Sequence, residues 1–439
     1  MYTSYIGKKF LELYNKKNST SYSAEQFFTE VQFPLFFDDN KHLMHVHGST
    51  FFQPIKNEDI KQSGSESVAR LRRLQKDIKE NKISGSTYSG YAAGGVDAVT
   101  SGQVTSLDKE IDKEEVYASW IGQGFVIGFK GGLFLIDEES LYWRIFSGWE
   151  IYRKYLNQTP NLKGRQIETW NGNWLMFCSK YNSIRKIDID AFQLNVDSET
   201  NGVIAIPTLS WFKIMTALTK TLDAKEIVAN AFVFSKVNSS FGFINLILPQ
   251  IKKIYELRDE LFLPENSTIL EDEDIEELST YYNFKEACKQ GVIGLKAIEP
   301  AQLRQFMPSG SVQYAQGKNF FLTDKKSYKQ YQLFKIWIIA MLNKTELMEL
   351  ASSLAQSLID FESKDDRGKK VFSSLSKDVL EAKNLKTFID KLTEILSHTP
   401  EVGQDFKCLV EAVLKMPNDS FPLFITLVKF EYTLKKSNQ

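Results

Sequence analysis

SYKQYQLFKIWIIAMLNKTELMELASSLAQSLID, Ser327–Asp360, sets Leu333, Ile336, Trp337, Ala340 and Met341 at the i, i+3/i+4, i+7 spacing of one helix face. Leu347, Leu350, Ala351, Leu354 and Leu358 then repeat it. The spacing continues through Phe372, Leu375 and Val379, through Phe388, Leu392, Ile395 and Leu396, and through Phe406, Leu409, Val410, Val413 and Leu414. Phe421–Leu434 closes the series, and Gly368, Pro400 and Pro417 fall at the joints. Apolar stripes of this period with short polar connections predict an antiparallel bundle of four or five helices over residues 321–439. Leu333–Leu342 is too short for a membrane span and reads as a buried helix.

Working outward, residues 1–320 change character. Ile6, Phe10, Leu13 and Tyr14 share a helix face within Tyr5–Lys17. Ser23 with Gln26 forms a capping box for a second helix, carrying Phe27, Phe28 and Val31 and ending before Pro34. Glu115–Asp137 (EVYASWIGQGFVIGFKGGLFLID) alternates β-branched and aromatic residues between glycines, which predicts a two- or three-stranded meander. Ser140 should cap a helix running to about Tyr155. ETWNGNWLMFCSKY (Glu168–Tyr181) predicts a hairpin at Asn171–Gly172, and Ile184–Ile189 alternates like a strand. Pro207–Lys220, Ala224–Phe234 and Ile251–Phe262 read as helices, with a buried strand over Phe241–Leu248. EDEDIEE (Glu271–Glu277) suits the first turn of a helix, where acids face the positive dipole end. The expected fold class is α+β: a mixed N-terminal body with small antiparallel sheets (1–320) and a C-terminal helical bundle (321–439).

Several chemistries lack their residues. Hydrophobic residues make up 43 % and charged residues 25 %, so the chain can build ordinary globular cores. Net charge is −1, so any nucleic-acid binding must come from local basic patches. Cys178, Cys288 and Cys408 are far apart, without the spacing of a zinc or disulfide framework, and fit a reducing, cytoplasmic setting. MYTSYIGKKFLELYNKK lacks the apolar core of a signal peptide. His42, His45 and His47 resemble a metal cluster but have no matching cysteine, and only Asp38 and Asp39 lie nearby as oxygen donors. Packing or partner contact is the expectation there, with no metal and no cofactor. Asp188 and Asp190 would share a strand face, yet no third carboxylate or lysine stands at nuclease spacing. Neither a Walker loop nor a GxSxG elbow is present. The expectation is a binding protein and not an enzyme.

The stretch Arg70–Ser106 carries the binding signal. It opens as a basic helix with Arg70, Arg72, Arg73, Lys76, Lys79 and Lys82 against only Asp77 and Glu80. It then becomes ISGSTYSGYAAGGVDAVTSGQVTS (Ile83–Ser106), small and polar with almost no charge. A cationic helix feeding such a loop can hold a phosphate backbone and probe a groove; the alternative is a solvated helix followed by a surface linker. SKDDRGKK places Lys364, Arg367, Lys369 and Lys370 between two bundle helices, either as a phosphate contact or as a solvated turn.

Two segments, LEAKNLKTFIDKLTEIL (Leu380–Leu396) and MPNDSFPLFITLVKFEY (Met416–Tyr432), set behind a mixed α+β body, resemble the large subunit of type I CRISPR effector (Cascade) complexes. The bundle they belong to, residues 321–439, covers about a quarter of the chain. The resemblance implies a non-catalytic subunit of an RNA-guided antiviral complex, which recognises a short duplex motif beside the target and stabilises the displaced strand. Its implied partners are double-stranded DNA, a guide RNA, the other effector subunits and a separate nuclease, with no membrane. Arg70, Arg72, Arg73 and Lys76 would then neutralise phosphates, Ser101, Gln103 and Thr105 would reach a groove, and Lys364, Arg367, Lys369 and Lys370 would lie against the displaced strand. The rival readings are a sequence-specific restriction-type nuclease, relying on Asp188 and Asp190, and a protein-interaction scaffold.

Overall fold

The computed structural model describes residues 2–37, 40–46, 49–80, 87–89, 112–194, 196–198, 202–223, 225–233, 239–262, 269–301, 325–342, 346–364, 369–400, 403–415 and 421–437. It is an α+β protein of two compact units: Met1–Pro249 with Asn283–Ile293, and Gln250–Tyr282 with Gly294–Gln439. The division expected at 320/321 lies outside the described residues.

The first unit is organised by a crossing of α1 (Tyr2–Asn18) with α6 (Lys113–Gln123). A Cβ on Gly7 would sit 1.9 Å from the Ala118 carbonyl oxygen, and one on Gly122 would sit 1.9 Å from that of Thr3. Both helices therefore carry a small-xxx-small pair, Thr3/Gly7 and Ala118/Gly122, that lets their backbones touch. Between them lie α2 (Ala24–Phe27), α3 (Phe33–Phe36), α4 (Asn57–Ser63) and α5 (Glu66–Lys79). The Ser23–Gln26 capping box forms as expected. The helical run does not end before Pro34, however. A π-helical turn over Phe28–Gln32 carries the chain into α3, with the Phe33 N–H bonded to the Phe28 carbonyl. The shifted register lets the chain pass a proline that has no N–H to give.

The expected meander is a helix followed by a hairpin: α6, then β1 (Ile127–Phe129) and β2 (Gly132–Ile136). Gly131 takes φ 90° in the turn, and Gly132 has no room for a Cβ beneath the Phe284 ring. Next come α7 (Glu139–Gln158) and α8 (Ile167–Cys178). The latter corrects the hairpin expected at Asn171–Gly172. Asn171 is buried mid-helix and donates to the Gly124 and Val126 carbonyls at 2.8 Å each, while Gly172 lets the Gly128 carbonyl approach. Asn-Gly here serves close packing, so its turn signal misleads. Ile184–Ile189 also departs from its strand pattern: 3₁₀ turns form over Ile184–Lys186 and Ile189–Ala191.

A short pair, β3 (Asp197–Ser198) and β4 (Ile204–Ala205), precedes α9 (Trp211–Thr221). Ala224–Phe234, expected as a helix, is instead β5 (Glu226–Val233), paired antiparallel with β6 (Ser239–Ile247). With β7 (Val292–Ile293) the main sheet runs β1-β2-β5-β6-β7, antiparallel except for its last, parallel pair. Phe10, Phe125, Tyr142 and Trp149 cluster in the core, and Tyr152, Trp170 and Trp174 stack nearly parallel.

The second unit holds most of α10 (Leu248–Phe262), then α11 (Asp272–Glu276); α12 (Phe284–Cys288) belongs to the first unit. Glu271 and Asp274 form a capping box on α11, placing Asp272, Glu273 and Asp274 in its first turn as expected, while Glu276 ends the helix buried and Glu277 is its C-cap. The bundle has six helices among the described residues, not four or five: α13 (Lys325–Leu342), α14 (Glu346–Ser363), α15 (Lys369–Leu380), α16 (Leu385–His398), α17 (Gly403–Leu414) and α18 (Phe421–Ser437). Its apolar stripes pack Phe334 on Phe430 and Phe388 on Phe421. Buried Glu431 accepts from Tyr331 and pairs with Lys335 at 3.2 Å. Among the described residues, no helix is long and apolar enough to cross a membrane.

Candidate nucleic-acid interface

Helix α5 starts cleanly. Gly64, at φ 82°, ends α4, and the Ser65 hydroxyl accepts from the Val68 N–H. The helix then sorts its residues onto three faces. Ala69, Leu71, Leu74 and Ile78 are buried. Arg70 and Arg73, one turn apart, turn toward the chain that precedes the helix. Arg70 donates to the carbonyls of Phe51 (2.6 Å) and Gln53 (3.2 Å) and pairs with Glu66 at 2.5 Å. Arg73 donates to Gln53 (2.7 Å) and Pro54 (2.9 Å). Burial, and then the like charge of Arg70, pull the Arg73 pKa below its ordinary value. Arg72, Lys76 and Lys79 occupy the third face, at i, i+4 and i+7, and are exposed. Arg72 touches the Gln62 carbonyl and Ser63 hydroxyl at the end of α4, and Lys76 stands 3.8 Å from Glu80.

The residues gripped by Arg70 and Arg73 belong to a loop that collects further cations. Arg153, on α7, donates to the Leu35 and Lys41 carbonyls at 2.6 and 2.9 Å. The Lys41 ammonium donates to the carbonyls of Leu156, Thr159 and Pro160 at the end of α7, where a positive charge meets the negative end of the helix dipole. Arg165 is exposed and takes the left-handed φ of 64°. Its N–H bonds the His42 carbonyl at 2.6 Å, and Gly164 before it has no room for a Cβ against that oxygen. The Arg165 guanidinium stands 5.6 Å from the centre of the half-exposed Phe52 ring, with His45 on the same ring at 4.4 Å.

His42 reports the field of this cluster. It is buried among Phe37, Phe51 and Phe52. Burial first, then Arg165, Arg70 and Arg153, lower its pKa to about 4. It is a neutral core histidine, His45 packs on Phe52, and His47 lies outside the described residues. No group of three or more His, Cys, Asp or Glu stands together as a metal site among the described residues.

Of the other expected positions, Ser101, Gln103, Thr105 and Arg367 lie outside the described residues. Lys364 is exposed just after α14, and Lys369 and Lys370 open α15. Asp188 and Asp190 do not share a strand face. Asp188 caps a 3₁₀ turn by accepting from the Asp190 N–H, and both are exposed. Sequence reasoning missed Lys41, Arg153, Arg165 and Phe52; the Lys163-Gly164-Arg165 tripeptide was the readable signal. No family model, curated protein or solved structure matches this chain.

Proposed function

We propose that the chain is a non-catalytic nucleic-acid-binding subunit of an RNA-guided antiviral complex, recognising a short duplex motif beside the target and stabilising the displaced strand. Two observations support it: the exposed Arg72, Lys76 and Lys79 face of α5, and the Arg165–Phe52–His45 stack. Exposed cations at helical spacing suit a phosphate backbone, and an arginine beside half-exposed rings suits an unpaired base. Arg70 and Arg73 fix the loop that presents Phe52. Sequence specificity would come from the guide RNA, and cleavage from a separate nuclease.

The test is to tag the full chain, express it with its neighbouring genes and analyse the nucleic acid that co-purifies. A uniform small RNA in a multi-subunit particle is the expected result. A nucleic-acid-free protein would favour a scaffold, and magnesium-dependent duplex cutting by the isolated chain would favour a restriction-type nuclease.

A further inference from the structure

On the first unit, an open cleft of roughly 480 Å³ lies between the β1–β2 turn and the first turn of α8. Gly128, Lys130 and Gly131 form one wall, Glu168 and Thr169 the second, and Thr208 closes it. The walls are fixed by close contacts. A Cβ on Gly128 would lie 2.9 Å from that of Glu168, and the Lys130 N–H bonds the Leu209 carbonyl at 2.8 Å.

Glu168 is the unusual member. Its carboxylate has no cationic side chain paired with it among the described residues; its own N–H and the Gln123 side chain are what hold its charge. Burial outweighs both and pushes its pKa up to about 7. Tyr152, from α7, is the other titratable group that senses it, and burial keeps that phenol protonated. A carboxylate set in a cleft and left without a counter-charge is complementary to a cation that brings its own N–H donors. Lys130, exposed on the rim, adds an opposite preference: it favours an acidic group at the other end of the same molecule.

We propose that this cleft binds a small zwitterion, with a guanidinium or primary ammonium against Glu168 and an acidic group toward Lys130. The volume falls in the range of small-molecule sites. None of the residues lining the cleft belongs to the cationic site described above, and the proposal does not depend on that reading.

The probes are L-arginine and agmatine, the same guanidinium with and without a carboxylate, measured by equilibrium dialysis with the full chain. Saturable arginine binding is expected at pH 8, roughly tenfold weaker at pH 6 as the carboxyl takes up its proton. Glu168→Gln, which keeps the side chain's size, should abolish both the binding and its pH dependence. Lys130→Met should weaken arginine while leaving agmatine unchanged. Absence of saturable binding by the native chain, binding with no pH dependence, or undiminished binding by Glu168→Gln would each overturn the proposal. Equal effects of Lys130→Met on both probes would overturn its zwitterion part.

Discussion

On one side of α5 the guanidinium groups of Arg70 and Arg73 end on backbone carbonyls of Phe51, Gln53 and Pro54; on the other, Arg72, Lys76 and Lys79 face water. The residues are chemically alike and adjacent in sequence. What separates them is the helical period, which turns Arg72 about 100° away from Arg73. An arginine whose fork is filled by carbonyls organises its own chain, and its charge reaches a partner only as part of the local field. An exposed cation at the same helix can exchange its water for a phosphate. Counting basic residues along the sequence merges these two roles, and the comparison between the two faces is where the functional reading can be broken.

The largest expected effect comes from the gripped side, through His42. Its pKa is about 4 in the folded chain, against an ordinary histidine value near 6.5 once unfolded. Between these values the unfolded chain binds more protons than the folded one. Stability is therefore full above about pH 6.5 and falls as pH drops toward 4, by about 3 kcal/mol. Urea unfolding at a series of pH values measures this, and His42→Leu should remove that part of the slope. A smaller effect is expected from Arg73→Ala. Losing charge-assisted bonds to two carbonyls should cost about 2 kcal/mol of folding stability, read as a shift in the urea midpoint. An unchanged midpoint would place Arg73 with the exposed cations instead.

The helical periods of the bundle were legible because Leu333, Ile336, Trp337 and Ala340 are held by their neighbours in the spacing that their own helix dictates. The β1–β2 hairpin was legible from Lys130-Gly131-Gly132 for the same local reason. Asn171–Gly172 and Glu226–Val233 were not. Asn171 is chosen by the carbonyls of Gly124 and Val126, and β5 by β2, all remote in sequence, with the neighbouring β6 pairing on its other edge. The basic helix was visible at once, but its division into faces depends on Gln53 and Pro54, which the sequence does not mark as acceptors. Arg153, Arg165 and Phe52 were hidden more deeply: they meet around His42 only after three separate elements have packed.

The smallest effect on folding, and the sharpest for function, belongs to the exposed face. Changing Arg72, Lys76 and Lys79 together to Gln removes three charges; among the described residues, the Arg72 contacts to Gln62 and Ser63 and the 3.8 Å Lys76–Glu80 pair are lost with them. The urea midpoint should shift by no more than about 0.5 kcal/mol in equivalent stability, as for ordinary surface substitutions. Duplex affinity, measured by fluorescence anisotropy between 50 and 200 mM salt, should nevertheless fall for all sequences alike. The slope of log K against log salt should flatten by up to about 3, since each phosphate contact contributes roughly 0.9. Arg73→Ala, by contrast, should leave that slope nearly unchanged in protein that remains folded. If the triple variant binds duplex with the native slope, the exposed face of α5 is only solvated, and the α5 part of the nucleic-acid reading falls even though every contact on the gripped side stands.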